Sequence, residues 1–246
     1  MLKKRYIQEK IEQDLENKMV FIGGPRQVGK TTIARLIGDH HYSTFSYLNW
    51  DNAEDRKSIL SSQFDPKAKL LIFDEIHKYR KWKNYIKGQF DKYRERFSIL
   101  VTGSARLDLY QKGGDSLMGR YFYYRLHPFS VAEILSTQLP VIEPFTELQF
   151  PENNKALAAL QKLFIFGGFP EPLFSNNLET LRRWHNQRME RLVKEDIRDI
   201  ENIRDLSALQ ILVELLPNRV GSALSLNALR EDLEVAFGTI KLWMDI

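Results

Sequence analysis

The chain has 246 residues and a net charge of +4, with 43% hydrophobic and 28% charged residues, the composition of an ordinary globular protein. It contains no cysteine, which excludes disulfides and thiolate metal sites and is typical of a reducing cytoplasm. Residues 1–17 lack the apolar core of a signal peptide, and no apolar run approaches the roughly 20 residues that span a bilayer. We therefore expect a cytoplasmic protein without a membrane span.

The first part of the chain alternates helices with short apolar strands. Apolar residues at helical spacing predict a leading helix at 3–17. Strands are then predicted at 19–22, 42–48, 70–73, 98–101 and 121–126. Further helices are predicted at 30–37, where Gly38 should end the helix, at 53–61, at 82–93 and, from the capping-box spacing of Ser130 and Glu133, after 130. The alternation indicates an α/β fold with a parallel sheet of about five strands flanked by helices.

The pattern changes after residue 135. Residues 137–154 carry several prolines and are typical of a linker. Only helices are predicted beyond it, at 156–164, 178–197, 206–216 and 226–233, with one more from 237. The predicted organisation is an α/β domain at 1–136, a linker and helical lid at 137–205, and a helix-turn-helix-like domain at 206–246.

A complete G-x-x-x-x-G-K-[ST] pattern lies between a predicted strand and a predicted helix. It consists of Gly24, Pro25, Arg26, Gln27, Val28, Gly29, Lys30 and Thr31, and Thr32 follows. The N-terminal end of the helix suits a polyphosphate, Lys30 would reach the β- and γ-phosphates, and the Thr31 hydroxyl would ligate Mg²⁺. The pattern therefore predicts a nucleoside-triphosphate site.

Two adjacent acids follow the apolar strand at 70–73. Asp74 is positioned to hold the Mg²⁺ shell, and Glu75 could orient and deprotonate an attacking water. A carboxylate that activates water favours hydrolysis over transfer of phosphate to a small molecule. We therefore expect an NTP hydrolase, with a small-molecule phosphotransferase as the less favoured alternative.

Three further polar residues are candidates for a role in the reaction itself. Thr102 or Ser104, at the end of the fourth strand, could hydrogen-bond the γ-phosphate or the water; the alternative is a turn that caps the next helix. Arg120 could stabilise the γ-phosphate from the same chain or from a neighbouring subunit; the alternative is an ordinary surface arginine.

The series of motifs resembles the prokaryotic AAA-type ATPases that pair a phosphate-loop domain with a C-terminal domain of unknown function. The segments that carry the likeness are 23–32, 73–78, 101–104, 119–120 and 167–171. The resemblance implies ATP or ADP with Mg²⁺ as ligands and an additional-strand sheet, whose fourth strand lies between those that carry the loop and Asp74. It also implies that Thr102 or Ser104 is the sensor, Arg120 a finger candidate, and Pro170 part of a lid turn near the adenine.

The sequence departs from this family at two places. Arg80 stands where a proline is common in such proteins. Family members also continue well past residue 246, so the C-terminal domain is expected to be truncated.

Nucleic acid is a candidate partner, beside a protein partner or a second copy of the chain. Residues 206–246 have a helix-turn-helix outline, but three basic residues against five acidic ones would repel phosphate. Residues 78–96 carry eight basic residues against two acidic ones, and the aromatic residues among them are expected to be core contacts.

The leading hypothesis is a Mg²⁺-dependent ATPase that moves its lid or C-terminal domain. The alternative is a nucleotide-binding regulatory switch with low turnover, associated with nucleic acid or not.

Overall fold

The computed structural model describes residues 3–103, 117–135, 145, 154–191 and 205–245. Within the chain, contacts divide into two compact units, residues 1–176 and 177–246. Ser104 and nearly all of the predicted linker at 137–154 lie outside the described residues. The three-part division of the chain expected from the sequence stays a prediction.

The first unit is built on a five-stranded sheet in which every neighbouring pair is parallel. The strands are β1 (Met19–Gly23), β2 (Phe45–Asn49), β3 (Leu70–Asp74), β4 (Ser98–Thr102) and β5 (Tyr121–Arg125). Their order is β2-β3-β4-β1-β5, which confirms that the fourth strand lies between the first and the third. Thr102 lies opposite both Asp74 and Ile22, so the carboxyl ends of β1, β3 and β4 meet at one edge.

Each face of the sheet carries its own apolar core, because side chains alternate between the faces along a strand. One face of the sheet buries Phe21, Phe73 and Val101. The other face buries Ile22 and Ile72. The helices cover both faces, as expected for strands that are apolar along their whole length.

The basic segment at 78–96 supplies apolar residues to the first of these cores. Trp82 and Ile86 of this segment are buried there together with Phe97, which follows it, and Phe90 packs against them. This confirms that the apolar and aromatic residues of the segment are core contacts.

The helices of the first unit agree with the sequence pattern in most places. They are α1 (Gln8–Asp14), α2 (Lys30–His41), α3 (Ala53–Ser61), α4 (Trp82–Tyr93), α5 (Val131–Leu135), α6 (Ala156–Phe166) and α7 (Pro170–Ser175), with a 3₁₀ turn at Ile76–Lys78. The capping box before α5 is confirmed, since the backbone N–H of Glu133 donates to Ser130 Oγ and the Ser130 N–H donates to the Glu133 carboxylate, both at 3.3 Å.

Two helix predictions are wrong for packing reasons. Gly38 does not end α2, which continues to His41. A Cβ at Gly38 would lie 2.7 Å from the Phe45 ring, so this glycine allows helix and strand to approach closely. The first helix begins at Gln8 rather than residue 3. The preceding segment instead carries Arg5, whose buried side chain binds three other parts of the unit.

The second unit is entirely helical in its described part. Its elements are α8 (Leu178–Arg191), α9 (Leu206–Leu215), a 3₁₀ turn at Leu216–Arg219, α10 (Leu226–Asp232) and α11 (Phe237–Asp245). The last three helices share a core that includes Leu209, Leu229 and Trp243. In the described parts of both units, no helix is long and apolar enough to cross a membrane.

Candidate nucleotide site

The phosphate loop begins where β1 ends, and its glycines are required by two different constraints. A Cβ at Gly24 would lie 2.4 Å from the carbonyl oxygen of Leu126, which follows β5. Gly29 has a φ of 100° and caps α2, so no side chain satisfies the N–H groups of the first turn. These N–H groups and the positive end of the helix dipole remain available for an anion.

The Lys30 side chain is buried against this loop and only 8% of the residue is exposed. Its ammonium group lies 3.0 Å from the carbonyl oxygen of Gly24 and 2.8 Å from that of Pro25. Two carbonyl oxygens of the loop therefore hold the ammonium group of Lys30 against the loop.

The carboxylate of Asp74 lies directly behind Thr31 at the edge of the sheet and is 5% exposed. The Thr31 hydroxyl donates to Asp74 Oδ2 at 2.8 Å, and the Thr102 hydroxyl donates to Asp74 Oδ1 at 2.5 Å. Thr102 therefore contacts the carboxylate directly in this structure. A hydroxyl and a carboxylate side by side are the hard oxygen donors that suit Mg²⁺.

Glu75 turns away from the strand in the left-handed region, with a φ of 57°, and its N–H donates to the carbonyl oxygen of Thr102 at 3.0 Å. Its carboxylate lies 3.6 Å from His77 Nε2 and 3.5 Å from Lys78 Nζ. Burial is the largest influence on this group and raises the pKa of Glu75 above its usual range. The backbone turn thus separates two adjacent acids, because Asp74 stays in the sheet edge while Glu75 faces a cavity.

A cavity of about 670 Å³ is lined by Lys30, Thr31 and Glu75, whereas Asp74 and Thr102 lie outside its lining. The predicted site residues that line it are Arg26, Gln27, Val28, Gly29, Lys30, Thr31, Thr32, Glu75 and Pro170. A Cβ at Gly29 would lie 3.9 Å from Pro170 Cγ, so the first turn of α7 closes on the phosphate loop. Gly168 anchors this turn, since its carbonyl oxygen accepts a 2.7 Å hydrogen bond from the N–H of Phe129.

The remaining cavity wall was not predicted from the sequence. It includes Lys3, Arg5, Phe129, Glu171 and Phe174. Arg5 is the centre of this group, because it donates to Glu133 Oε1 at 2.8 Å and to the Val28 carbonyl oxygen at 3.1 Å. No local motif indicates such contacts, since Arg5 and Glu133 are 128 residues apart.

Arg120 does not join this cavity within its own chain. It precedes β5 at the opposite edge of the sheet, roughly 20 Å from the loop at about 3.3 Å for each strand residue. Its Nε donates instead to Asp91 Oδ1 of α4 at 2.8 Å. In this structure the Arg120 side chain therefore contacts α4 rather than the cavity, and a catalytic role for it stays a prediction. Ser104 lies outside the described residues.

Comparison with known families divides the chain in two. A family model described as an AAA domain matches residues 16–135, and a model described as a domain of unknown function matches residues 157–246. An uncharacterized protein of Methanocaldococcus jannaschii is 24% identical over 231 residues, which cover 88% of this chain and 51% of that protein. The chain thus spans about half the length of the curated relative that it matches.

Three solved structures illustrate the similarity of the fold. The Thermotoga maritima RuvB Holliday junction branch migration motor is 19% identical, with a TM-score of 0.47 over 96% of this chain and 83% of that chain. Aeropyrum pernix ORC1 in complex with DNA is 13% identical, with a TM-score of 0.48 over 100% of this chain and 83% of that chain. The Saccharomyces cerevisiae Hsp104–ADP complex is 16% identical, with a TM-score of 0.42 over 93% of this chain and 39% of that chain.

The strand order and the phosphate loop indicate the same kind of fold as the family match to the first part of the chain. Residues 16–135 are thus similar to an AAA domain and residues 157–246 to a domain of unknown function, and the first unit has the five-stranded parallel fold of the P-loop ATPases.

Proposed function

We propose that the protein binds ATP with Mg²⁺ and hydrolyses it. The observation that carries the proposal is that Lys30, Thr31 and Glu75 line one cavity, while Asp74 lies one hydrogen bond behind Thr31. The cavity volume of about 670 Å³ is in the range of small-molecule sites. The family match to an AAA domain supports nucleotide as the ligand.

Binding of the triphosphate would use the loop and the start of α2. The ammonium group of Lys30 would exchange the carbonyl oxygens of Gly24 and Pro25 for phosphate oxygens, which are stronger partners because they are charged. Thr31 and Asp74 would hold Mg²⁺, Thr31 through its hydroxyl oxygen. When bound, the metal ion would neutralise the negative charge that develops on the phosphates during the reaction.

Glu75 is proposed as the general base. Its raised pKa makes the carboxylate a better proton acceptor near neutral pH than an exposed glutamate. It would take a proton from the water whose oxygen forms a bond to the γ-phosphorus, while the bond between that phosphorus and the bridging oxygen breaks. ADP and inorganic phosphate are the products.

The apolar part of the cavity wall is the proposed base site. Phe129, Pro170 and Phe174 give it an apolar surface that suits a purine ring, and the lid turn at Pro170 supports adenine as the base. Because α7 begins at Pro170, a change in the ligand would act directly on this helix. We propose that this contact couples nucleotide state to movement of the lid or the C-terminal domain.

A second candidate function is a nucleotide-binding switch with low turnover. The position of Arg120, roughly 20 Å from the loop along β1 and β5, supports it, because a single chain would then lack this arginine at its own γ-phosphate. Assembly of several copies would supply Arg120 from a neighbour. A protein partner or nucleic acid could promote that assembly, and the absence of cysteine supports a cytoplasmic setting.

Phosphate release separates these functions. Glu75→Gln should slow release about 10²- to 10⁴-fold, the contribution of a general base, while leaving ATP binding in place. Lys30→Ala should weaken ATP binding itself, and Lys57→Ala, on the exposed face of α3, should match the wild type. Wild-type release no higher than that of Lys30→Ala at saturating ATP would contradict the ATPase proposal. Tight binding without release, even with DNA added, would favour the switch.

A further inference from the structure

The carboxylate of Asp74 is held by three hydroxyl groups from three different strands or helices. Thr31 and Thr102 contribute two of them, as already described. The third is the phenol of Tyr47, which donates to Asp74 Oδ2 at 2.5 Å. Every oxygen of this buried carboxylate is therefore oriented by at least one donor.

Tyr47 reaches this position from the edge strand β2. It lies opposite Ile72 in the sheet, two residues before Asp74 along β3, so its side chain extends along the sheet surface to the carboxylate. The Arg35 guanidinium of α2 lies 4.0 Å from the centre of the Tyr47 ring and covers it. The Tyr47 ring is therefore held between β2 and α2, the helix that follows the phosphate loop.

We propose that Tyr47 is a positioning residue for the divalent cation that accompanies the nucleotide. The inference rests on the proposed function of the cavity. Tyr47 fixes the plane of the Asp74 carboxylate, and it thereby sets how tightly the loaded site holds Mg²⁺. No sequence motif indicates this residue, because it lies on a strand that carries none of the predicted site residues.

The three donors are not equivalent. Thr31 is itself a proposed ligand, so its hydroxyl oxygen has to reorient with the cation. Tyr47 is absent from the described cavity lining, so its hydrogen bond to Asp74 does not compete with the positions that a nucleotide would occupy. It is therefore the donor that keeps Asp74 Oδ2 in place while the neighbouring Thr31 changes partner. Residues that orient a metal ligand in this way typically change metal affinity about 10- to 100-fold when they are removed.

The test compares Tyr47→Phe with Tyr85→Phe. Both phenols are partly buried and both donate a 2.5 Å hydrogen bond, but Tyr85 donates to the carbonyl oxygen of Ile59 on the other face of the sheet. Each substitution keeps the ring and removes one hydroxyl. The pair therefore separates a specific effect on Asp74 from the general loss of a buried hydrogen bond.

The measurement is the binding of a fluorescent ADP analogue while MgCl₂ is titrated, with a second series in EDTA. For Tyr47→Phe, the Mg²⁺ concentration at half-effect should rise about tenfold, whereas the affinity in EDTA should stay unchanged. Tyr85→Phe should match the wild type in both series. Thermal melting of all three proteins verifies that they are folded at the temperature used.

Three results would overturn the inference. An unchanged Mg²⁺ midpoint in Tyr47→Phe, with Mg²⁺-dependent binding intact in the wild type, would refute the role of Tyr47 alone. An equal loss of affinity in EDTA would show a general structural effect. A wild-type protein that fails to bind the nucleotide would refute both this inference and the proposed function.

Discussion

At the scale of single residues, two neighbouring carboxylates of the site lie in different surroundings. Asp74 and Glu75 are adjacent acids, yet Asp74 accepts three hydroxyl hydrogen bonds while the carboxylate of Glu75 lies near His77 and Lys78. The left-handed backbone at Glu75 produces this difference, because it directs the second acid away from the strand. The proposed division of roles between a metal-holding acid and a base would thus follow from one turn of the backbone.

Tyr85 gives a prediction for alkaline pH. Burial raises the pKa of its phenol to about 12, whereas an exposed tyrosine in the unfolded chain titrates at about 10. Because the folded state holds the proton more tightly, this contribution to stability is complete below about pH 10 and is lost as the pH rises towards 12. Urea unfolding at several pH values should therefore show a shallower alkaline decline for Tyr85→Phe than for the wild type. Parallel declines would contradict the prediction.

The site residues predictable from sequence are those within a continuous pattern. The loop at 24–32 and the pair Asp74 and Glu75 are recognisable because phosphate and metal binding impose fixed spacing on neighbouring residues. Arg5 and Tyr47 carry no such pattern. Their contacts depend on strand register and on chain segments that meet only after folding, so they become visible only in the structure.

At the scale of elements, two glycines inside helices have opposite roles. Gly38 in α2 would place a Cβ 2.7 Å from the Phe45 ring, whereas a Cβ at Gly88 in α4 meets nothing within 4 Å. Gly88→Ala should therefore raise the free energy of unfolding by about 0.5–1 kcal/mol through helix propensity. Gly38→Ala should lower it, since overpacking costs about 1–3 kcal/mol.

Denaturant unfolding of the two variants measures this difference. The same substitution at two helix-interior positions controls for the intrinsic preference for alanine. Equal stabilisation by both variants would mean that Phe45 moves aside freely and that close packing of α2 on β2 is unimportant.

The ion pair of Arg5 and Glu133 connects the segment before α1 to α5. Both side chains are almost fully buried, and Arg5 also packs its guanidinium 4.1 Å from the centre of the Phe129 ring. Arg5→Met alone should cost about 3–5 kcal/mol, because it leaves a buried carboxylate without its partner. The double variant Arg5→Met/Glu133→Leu should cost markedly less, since no isolated charge remains.

Free energies of unfolding for the two single variants and the double variant form a complete cycle. Additive losses would refute the coupling. The pair also explains why the leading helix starts at Gln8 rather than at residue 3. The side chains of Lys3 and Arg5 bind carbonyl oxygens and a carboxylate outside the helix, which the periodicity of the sequence does not reveal.

At the scale of the whole molecule, the first unit contains every described residue that lines the cavity. A fragment of residues 1–176 should therefore fold and bind ATP with the affinity of the full chain. A fragment of residues 1–155 should bind more weakly, because it lacks Pro170, Phe174 and the Gly168 contact to Phe129. Calorimetric titration of the two fragments tests this, and equal binding by both would contradict a role for α7 in the cavity wall.

Most of the fold could be predicted because it depends on local pattern. All five strands lie within a few residues of their predicted positions, since buried parallel strands are apolar throughout and end at polar turns. The strand order followed from family resemblance rather than from periodicity, which contains no information on neighbours. The short helix α7 lacks enough turns for a periodic signal, and the family resemblance implies only a lid turn at Pro170.

The cavity wall comes from separate parts of the sequence. The phosphate loop is encoded by one short run of codons, 24–32, whereas other parts of the wall come from residues near 3–5, 129 and 170–174. Mutation can therefore change those other parts one segment at a time while Lys30 and Thr31 remain untouched. Lineages of such proteins would be free to diverge in ligand preference and still inherit the same phosphate chemistry.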